Sequence, residues 1–309
     1  KLGIKWFWDR NAATTSKHIG EIAWAVRCYA VKHLTADDET IAFYAEAMKR
    51  LRISQQDLSD KNQIAMAQFD DPRLVASFVS LPPRLWDKAE AMSKAASAPR
   101  ITKKAQLLAQ AAVAIEILMF APMRLTNLQC LRLDEHISWQ AERMRINIPS
   151  QQVKNDQALD FLLPASVSKR IKTYIGRWRP HFTSGHNPHL FPGRNDKPKD
   201  GTCLRRQIEQ TLWNEAGIRL TPHQFRHAAA KILLDAKPGH YEVVRKVLGH
   251  KSLTTTYSHY AGAETQAAIS LYDDVIIQHR QRKAFDRDQD NRSPAPPFMD
   301  PLQLYGGKR

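Results

Sequence analysis

Apolar residues recur at helical spacing through the first hundred residues of the chain. The pattern runs from Trp24 to Leu34 and returns in IAFYAEAMKRLRI from Ile41. Asp70-Asp71-Pro72 is typical of a helix start, with acids and a proline at the N-terminus of the helix, whereas Leu81-Pro82-Pro83 predicts a break. We therefore expect residues 1–98 to form an all-helical domain.

The pattern changes after the polar, basic stretch SAPRITKKAQ, where we place a domain boundary. The run AQLLAQAAVAIEILMFAPM that follows is interrupted by Gln110 and Glu116, which predicts a buried helix rather than a membrane span. The runs HISWQ, RMRINIP and DFLLP predict a small antiparallel sheet. The fold class is therefore mainly α, with a mixed α/β domain over 101–285 and a charged, proline-rich tail over 286–309.

Three short helices are predicted between residues 221 and 260. The first, in TPHQFRHAAAKILLDA, carries His223 and Arg226 on one face of its first turn, because residues three apart are neighbours on a helix. The second, YEVVRKVL, ends at Gly249, a residue suited to a left-handed C-cap, and His250 follows directly. The third begins after Ser252 and contains Tyr257 and Tyr260.

Charge identifies the class of partner. The formal net charge is +15 and the isoelectric point is near 9.8, which implies a polyanion. Basic residues are spread through segments with the apolar pattern of a folded domain and are not concentrated along one amphipathic helix. Nucleic acid is therefore favoured over an anionic membrane surface as the partner.

The remaining composition excludes several kinds of site. Cys28, Cys130 and Cys203 are far apart and odd in number, which excludes a zinc site or disulfide framework among them and, without a signal-peptide pattern, predicts a reducing cytoplasm. A histidine-rich loop has no acids or cysteines at ligand spacing; its histidines are His181, His186 and His189. We expect no metal, no cofactor and, without a phosphate-binding glycine loop, no nucleotide.

Two further residues extend the candidate chemistry. Arg124 follows the long apolar helix, and Lys154 lies at the tip of the predicted hairpin loop SQQVKNDQAL. Each alone is typical of an ordinary surface cation. Taken in order, the candidate site residues are Arg124, Lys154, His223, Arg226, His250 and Tyr260.

This order, with the motifs TPHQFRH and LGHKSLTTT, resembles the tyrosine recombinase family, the phage-integrase-like enzymes, over about residues 101–285. The resemblance implies a core-binding DNA domain at the N-terminus and a metal-independent transesterification on double-stranded DNA. It implies that Arg124, Arg226 and His250 bind the phosphate, and that Lys154 protonates the leaving 5′-oxygen. His223 would manage the proton of the nucleophile, Tyr260, which would form a 3′-phosphotyrosine. A homo-tetramer on paired DNA sites is also implied.

Two positions depart from the family pattern. In most of the family the nucleophile lies nine residues after the histidine that corresponds to His250. In this chain Tyr257 lies seven residues and Tyr260 ten residues after His250. We choose Tyr260 because a subset of the family has a spacing of ten. Asn127 occupies a position where the family usually carries Glu or Asp, which puts the local hydrogen bonding in doubt. The apolar patch from Phe298 to Tyr305 predicts docking of the tail on a neighbouring protomer.

Three alternatives stay open. A type IB topoisomerase-like enzyme would use the same chemistry without pairing two sites. A DNA-binding protein on the same scaffold would no longer cleave. A basic nucleic-acid or membrane binder would explain the charge but not the ordered residues. Integration, excision, dimer resolution and transposition all use the same residues, so the sequence does not separate them.

Overall fold

A computed structural model describes residues 17–51, 58–95, 102–183, 185–260 and 268–278. The described residues form two compact units, divided between residues 59 and 60. The predicted boundary near residue 98 stays a prediction, because residues 96–101 are outside the described part. The predicted tail over 286–309, with its apolar patch, also lies outside it.

The described part of the first unit is a pair of helices. They are α1 (Lys17–His33) and α2 (Asp38–Leu51), and they pack against each other. The turn before α2 is closed by Asp37, whose carboxylate accepts a hydrogen bond from the backbone N–H of Thr40 at 2.8 Å. Ala30 and Tyr44 are buried, as the helical spacing of apolar residues in both segments predicts.

The second unit begins with three helices. They are α3 (Asp60–Ala67), α4 (Pro72–Val79) and α5 (Leu81–Lys94). The predicted start of α4 is confirmed, since the Asp71 side chain caps the backbone N–H of Arg73. The predicted break lies one residue earlier, at Ser80 between α4 and α5. Leu81-Pro82-Pro83 themselves form the first turn of α5, where helix N–H groups have no partner and prolines are tolerated.

The core of the second unit surrounds α6 (Lys103–Phe120), the predicted apolar helix. Twelve of its residues are buried, and it packs against α5. Its two polar interruptions are paired inside the protein: Gln110 donates to the hydroxyl of Tyr174 at 3.1 Å, and Glu116 binds the guanidinium of Arg170, whose Nε lies 2.9 Å from the carboxylate. Among the described residues, no helix is long and apolar enough to cross a membrane.

The predicted sheet is confirmed as three antiparallel strands in the order β1-β2-β3. The strands are β1 (Ile137–Gln140), β2 (Arg143–Ile148) and β3 (Leu159–Leu162), and the short helix α7 (Leu125–Gln129) precedes them. Helix α8 (Ala165–Thr173) follows and continues as a short π-helix over Tyr174–Trp178. Helix α9 (Gly201–Ala216) comes after a long loop. The mainly α fold with a small sheet is therefore confirmed.

The three predicted C-terminal helices are present. They are α10 (Phe225–Ala236), α11 (Tyr241–Leu248) and α12 (Leu253–Tyr260). His223 lies in the turn just before α10, whereas the sequence predicts it inside the first helical turn; Arg226 is the second residue of the helix. Residues 268–278 are helical and largely exposed.

Candidate active site

Arg226 connects three segments of the candidate site. Its side chain is 5% exposed, and it donates from Nη1 to the carbonyl of Pro122 at 2.7 Å and from Nη2 to the carbonyl of Leu248 at 2.6 Å. Pro122 lies two residues before Arg124, and Leu248 lies two residues before His250. The buried guanidinium therefore brings the first arginine and the second histidine of the motif to its own helix.

Asn155 makes a second connection between the same segments. Its Oδ1 accepts a hydrogen bond from Nη1 of Arg124 at 3.2 Å, and its Nδ2 donates to the carbonyl of Gly249 at 2.7 Å. Because Asn155 follows Lys154 in the β2–β3 turn, these two bonds fix the hairpin that carries the predicted general acid. Sequence reasoning missed Asn155, although its place beside Lys154 was the available signal.

Gly249 is required by its backbone conformation, and it lies close to a neighbouring leucine side chain. Its φ is 62°, the left-handed region that caps α11, and a Cβ built there would lie 2.9 Å from Cδ2 of Leu159. Leu159 opens β3, so the glycine lets the end of α11 approach the sheet closely. The cap is completed by the backbone N–H of His250, which donates to the carbonyl of Arg245 at 3.0 Å.

The imidazole of His250 is fixed from the next helix. Its Nδ1 lies 2.9 Å from Oγ1 of Thr256, which is fully buried in α12. The ring is therefore held both by the cap of α11 and by a side chain four residues before Tyr260.

Cations surround His223. The side chain of His223 reaches solvent, but partial desolvation lowers its pKa, and the charges of Arg226, Arg124 and Lys154 lower it further. His223 is therefore mainly neutral at neutral pH and able to accept a proton. Burial, followed by the charge of Arg124, lowers the pKa of Arg226 to about 10, so that guanidinium stays protonated. Lys154 itself is exposed in the turn.

Tyr260 is buried, at 2% exposure. Burial raises the pKa of its phenol, and the positive charge of Arg226 acts in the opposite direction, so the hydroxyl is protonated at neutral pH. Its oxygen lies 2.8 Å from Nδ1 of His227. Tyr257, the rejected alternative, is 48% exposed and stacks on Tyr241 with 4.1 Å between ring centroids.

His227 is a site residue that sequence reasoning missed. It is 9% exposed, and its ring meets that of His223 edge to face with 5.5 Å between centroids. Its Nε2 lies 3.3 Å from Nδ2 of Asn62 in α3, which in turn contacts Gln224. The signal available in the sequence was the spacing of His223 and His227, four residues apart, but nothing in it indicated the contact with Asn62, 165 positions from His227.

The structure thus brings the six predicted residues into one region of the second unit, and their roles stay predictions. The amide of Asn127 is buried, and among the described residues its Nδ2 has no hydrogen-bond partner, which agrees with the doubt raised about this position. Across the described ranges, no three His, Cys, Asp or Glu side chains cluster at metal-binding distances. His189 contacts Asn187, with 3.1 Å between its Nδ1 and Oδ1.

Comparison with known proteins identifies the family. Residues 87–267 match the model described as the phage integrase family. The chain is similar to a tyrosine recombinase of Agathobacter rectalis, 31% identical over 98 residues, which is 31% of this chain and 30% of that protein. It is also similar to the tyrosine recombinase XerC of Brucella suis, 34% identical over 116 residues, or 36% and 34% of the two chains. These matches span about a third of the relatives' lengths.

Among solved structures, the chain is similar to a XerA recombinase, with 18% identity and a TM-score of 0.40 over 86% of this chain and 83% of that one. It is also similar to a XerH site-specific recombinase bound to its difH substrate. The identity there is 23% and the TM-score 0.42, over 61% of this chain and 51% of that one.

Proposed function

We propose that this chain, which belongs to the phage integrase family, cleaves and rejoins double-stranded DNA through a covalent link between a 3′-phosphate and Tyr260. The observation that carries this proposal is the double anchoring of Arg226, which gathers the cations of three separate motif segments beside a buried tyrosine. The net charge of +15 supports a polyanionic substrate.

The cations account for binding and activation of the phosphodiester. Negative charge grows on the non-bridging oxygens as a fifth oxygen approaches phosphorus, and donors fixed beforehand stabilise that charge most. Arg124 and Arg226 supply planar guanidinium donors, and His250 supplies a third group from its fixed position. Each Nη nitrogen of Arg226 gives one N–H to a backbone carbonyl and has a second N–H for the phosphate. In this proposal these side chains do the work for which many phosphoryl-transfer enzymes use a metal.

The reaction moves two protons. The phenol oxygen of Tyr260 attacks phosphorus and loses its proton to an acceptor, for which the mainly neutral His223 is the candidate. The bond from phosphorus to the 5′-oxygen breaks, and Lys154 supplies a proton to that oxygen. The product is a 3′-phosphotyrosyl bond that retains the energy of the phosphodiester. Attack by a 5′-hydroxyl of another strand reverses every step and seals the DNA.

Strand exchange needs two DNA sites, so we propose a homo-tetramer on paired sites, with integration, excision or transposition of a DNA element as the outcome. We place the reaction in the cytoplasm, on DNA. Docking of the apolar patch over 298–305 on a neighbouring protomer is part of this proposal, and deletion of residues 286–309 should weaken cooperative assembly on DNA.

Covalent capture tests the chemistry directly. The protein is incubated in EDTA with fragments of its source genome, denatured in SDS, and assayed for DNA linked to protein. We expect linked DNA from the wild type and from Tyr257→Phe, and none from Tyr260→Phe. An adduct that forms in Tyr260→Phe but not in Tyr257→Phe would contradict the choice of nucleophile.

The captured DNA then separates the alternatives. Sequencing it gives the target site, and a plasmid carrying two such sites is treated with the protein. Exchange between the sites supports a recombinase, whereas relaxation of supercoils alone supports the topoisomerase-like alternative. Tight, salt-sensitive DNA binding with no adduct supports a scaffold that binds without cleaving.

A further inference from the structure

The oxygen of Tyr260 is contacted by a histidine to which no role has been given. His227 and Tyr260 are both buried, and 2.8 Å separates Nδ1 from the phenol oxygen. A neutral imidazole carries its proton on one nitrogen only, so His227 acts either as an acceptor or as a donor toward this oxygen. The two possibilities have opposite consequences for the nucleophile, and the neighbours of His227 decide between them.

The backbone N–H of Thr221 determines the orientation of the Gln224 side-chain amide, from which the tautomer of His227 follows. This N–H, which only donates, lies 2.9 Å from Oε1 of Gln224, and the hydroxyl of Thr221 lies 3.0 Å from the same oxygen. The carbonyl end of the Gln224 amide therefore faces Thr221. Its Nε2 must then face the other way, where it donates to Oδ1 of Asn62 at 3.1 Å.

The same argument continues through Asn62. With Oδ1 turned to Gln224, its Nδ2 faces Nε2 of His227 at 3.3 Å. An amide NH₂ group only donates, so Nε2 of His227 accepts and carries no proton. The imidazole proton is then on Nδ1, and Nδ1–H donates to the oxygen of Tyr260. Gln224, Asn62 and His227 thus form a chain of hydrogen bonds, the amide relay, in which each side chain donates to the next. The backbone N–H of Thr221 sets this direction of donation.

This direction has a chemical meaning. A histidine with Nδ1–H cannot take the proton of the phenol at that atom, so it is not the base. It instead donates to the oxygen that becomes negative when the phenol loses its proton, and it orients that oxygen. The same donor acts in the reverse step, when a phenolate leaves phosphorus.

We propose that His227, held as the Nδ1–H tautomer by Asn62 and Gln224, is a positioning residue that donates a hydrogen bond to the oxygen of Tyr260 in both cleavage and rejoining. The proposal rests on the proposed function, in which Tyr260 is the nucleophile. It leaves the phenol proton to another acceptor, for which the neighbouring His223 is the candidate.

The tautomer can be read without any DNA. The full chain, labelled with ¹⁵N in histidine, is studied by long-range ¹H–¹⁵N NMR at about pH 8, above the ordinary histidine pKa of about 6.5. The signals of His227 are those that disappear in His227→Asn. We expect a protonated Nδ1 and an unprotonated Nε2. In Asn62→Asp the carboxylate accepts from His227, so the proton should move to Nε2. A protonated Nε2 in the wild type would overturn the proposal.

The role is tested by two substitutions measured on the captured DNA sequence. The side-chain nitrogen of Asn lies where Nδ1 of His lies, whereas that of Gln reaches the position of Nε2. We expect His227→Asn to keep the rate of adduct formation within about threefold, and His227→Gln to lose about 10- to 100-fold, the range for a hydrogen bond to a charged group. Both variants should bind this DNA as the wild type does.

Thermal unfolding of both variants shows whether they are folded. Equal losses of rate in folded His227→Asn and His227→Gln, or no loss in either, would overturn the role in catalysis. A wild type that forms no adduct at all would refute the proposed function, while the NMR result on the tautomer would still stand, so the two failures are distinguishable.

Discussion

The two halves of the site are held in place by different kinds of partner. In the cationic half, which comprises Arg124, Asn155 and Arg226, Arg226 and Asn155 are anchored on the backbone carbonyls of Pro122, Leu248 and Gly249, and Arg124 is bound in turn by the side chain of Asn155. In the nucleophile half, which comprises Tyr260 and the amide relay, every contact after Thr221 joins one side chain to another.

This difference shows which property of the site each level of structure controls. A backbone carbonyl cannot move unless the chain moves, so the position of Arg226 is a property of the fold, and Arg124 is tied to the same backbone through Asn155. The orientation of an amide and the tautomer of a histidine depend on single side chains. The protonation pattern around the nucleophile can therefore be changed by one substitution without disturbing the cations.

Arg226→Lys should break the cationic half with the largest effect. A lysine cannot bond both carbonyls with the same planar geometry, so we expect adduct formation to slow by about 10²- to 10³-fold. The free energy of unfolding should fall by about 1–3 kcal/mol, because a buried carbonyl loses its partner. Single-turnover kinetics and chemical denaturation measure the two effects.

Arg177→Lys is the matched control. Arg177 is exposed and paired with Glu90 at 2.6 Å, so its replacement should change stability by less than about 1 kcal/mol and leave the rate unchanged. Similar losses in the two variants would mean that the anchoring of Arg226 has no special importance.

Asn155→Ala should weaken the cationic half without removing a cation. Arg124 and Gly249 lose their common partner, and small displacements of catalytic groups are costly, so we expect a loss of about 10- to 100-fold in adduct formation with DNA affinity unchanged. Gln157→Ala, in the same turn but exposed, is the control. An Asn155→Ala variant as fast as this control would show that Asn155 does not position the cations.

Acid should destabilise the protein partly through His223. Its pKa is lowered in the folded state, so the unfolded chain binds more protons, and stability falls as the pH drops below the unfolded value of about 6.5. His223→Gln should therefore lose less stability than the wild type between about pH 7 and 5. Denaturation curves across this range are the measurement, and parallel losses would contradict the cationic surroundings described for His223.

Tyr257→Phe should have the smallest effect. The ring of Tyr257 stacks on Tyr241 and keeps that contact in phenylalanine, so stability should change by less than about 0.5 kcal/mol and the rate of adduct formation should not change. A large loss of rate here would mean that the nucleophile half is centred on the wrong tyrosine.

The same division explains what the sequence predicted and what it did not. Local pattern and capping chemistry were sufficient for α10, α11, Gly249 and the three strands, since these depend on neighbouring residues. The prolines at 82 and 83 were misinterpreted, because a proline at the first turn of a helix and a proline in a break look alike in sequence.

The sequence pattern did not predict the long-range side-chain contacts that complete the site. Asn155 meets Gly249 across 94 positions of sequence, and Asn62 meets His227 across 165. Spacing indicates which residues share a helix face, but it carries no information on which helix packs beside which loop. The family resemblance supplied the order of the motif residues, and only the folded chain shows the side chains that hold them.

The most direct test of the central claim is to identify the residue that carries the DNA. Protein captured on DNA in EDTA is digested with nuclease and trypsin, and the peptide of residues 252–280, which contains Tyr257, Tyr260 and Tyr272, is fragmented by mass spectrometry. We predict a nucleotide mass on Tyr260 and unmodified Tyr257 and Tyr272. A nucleotide on any other residue would contradict a site in which the buried tyrosine beside Arg226 and His227 attacks the phosphate.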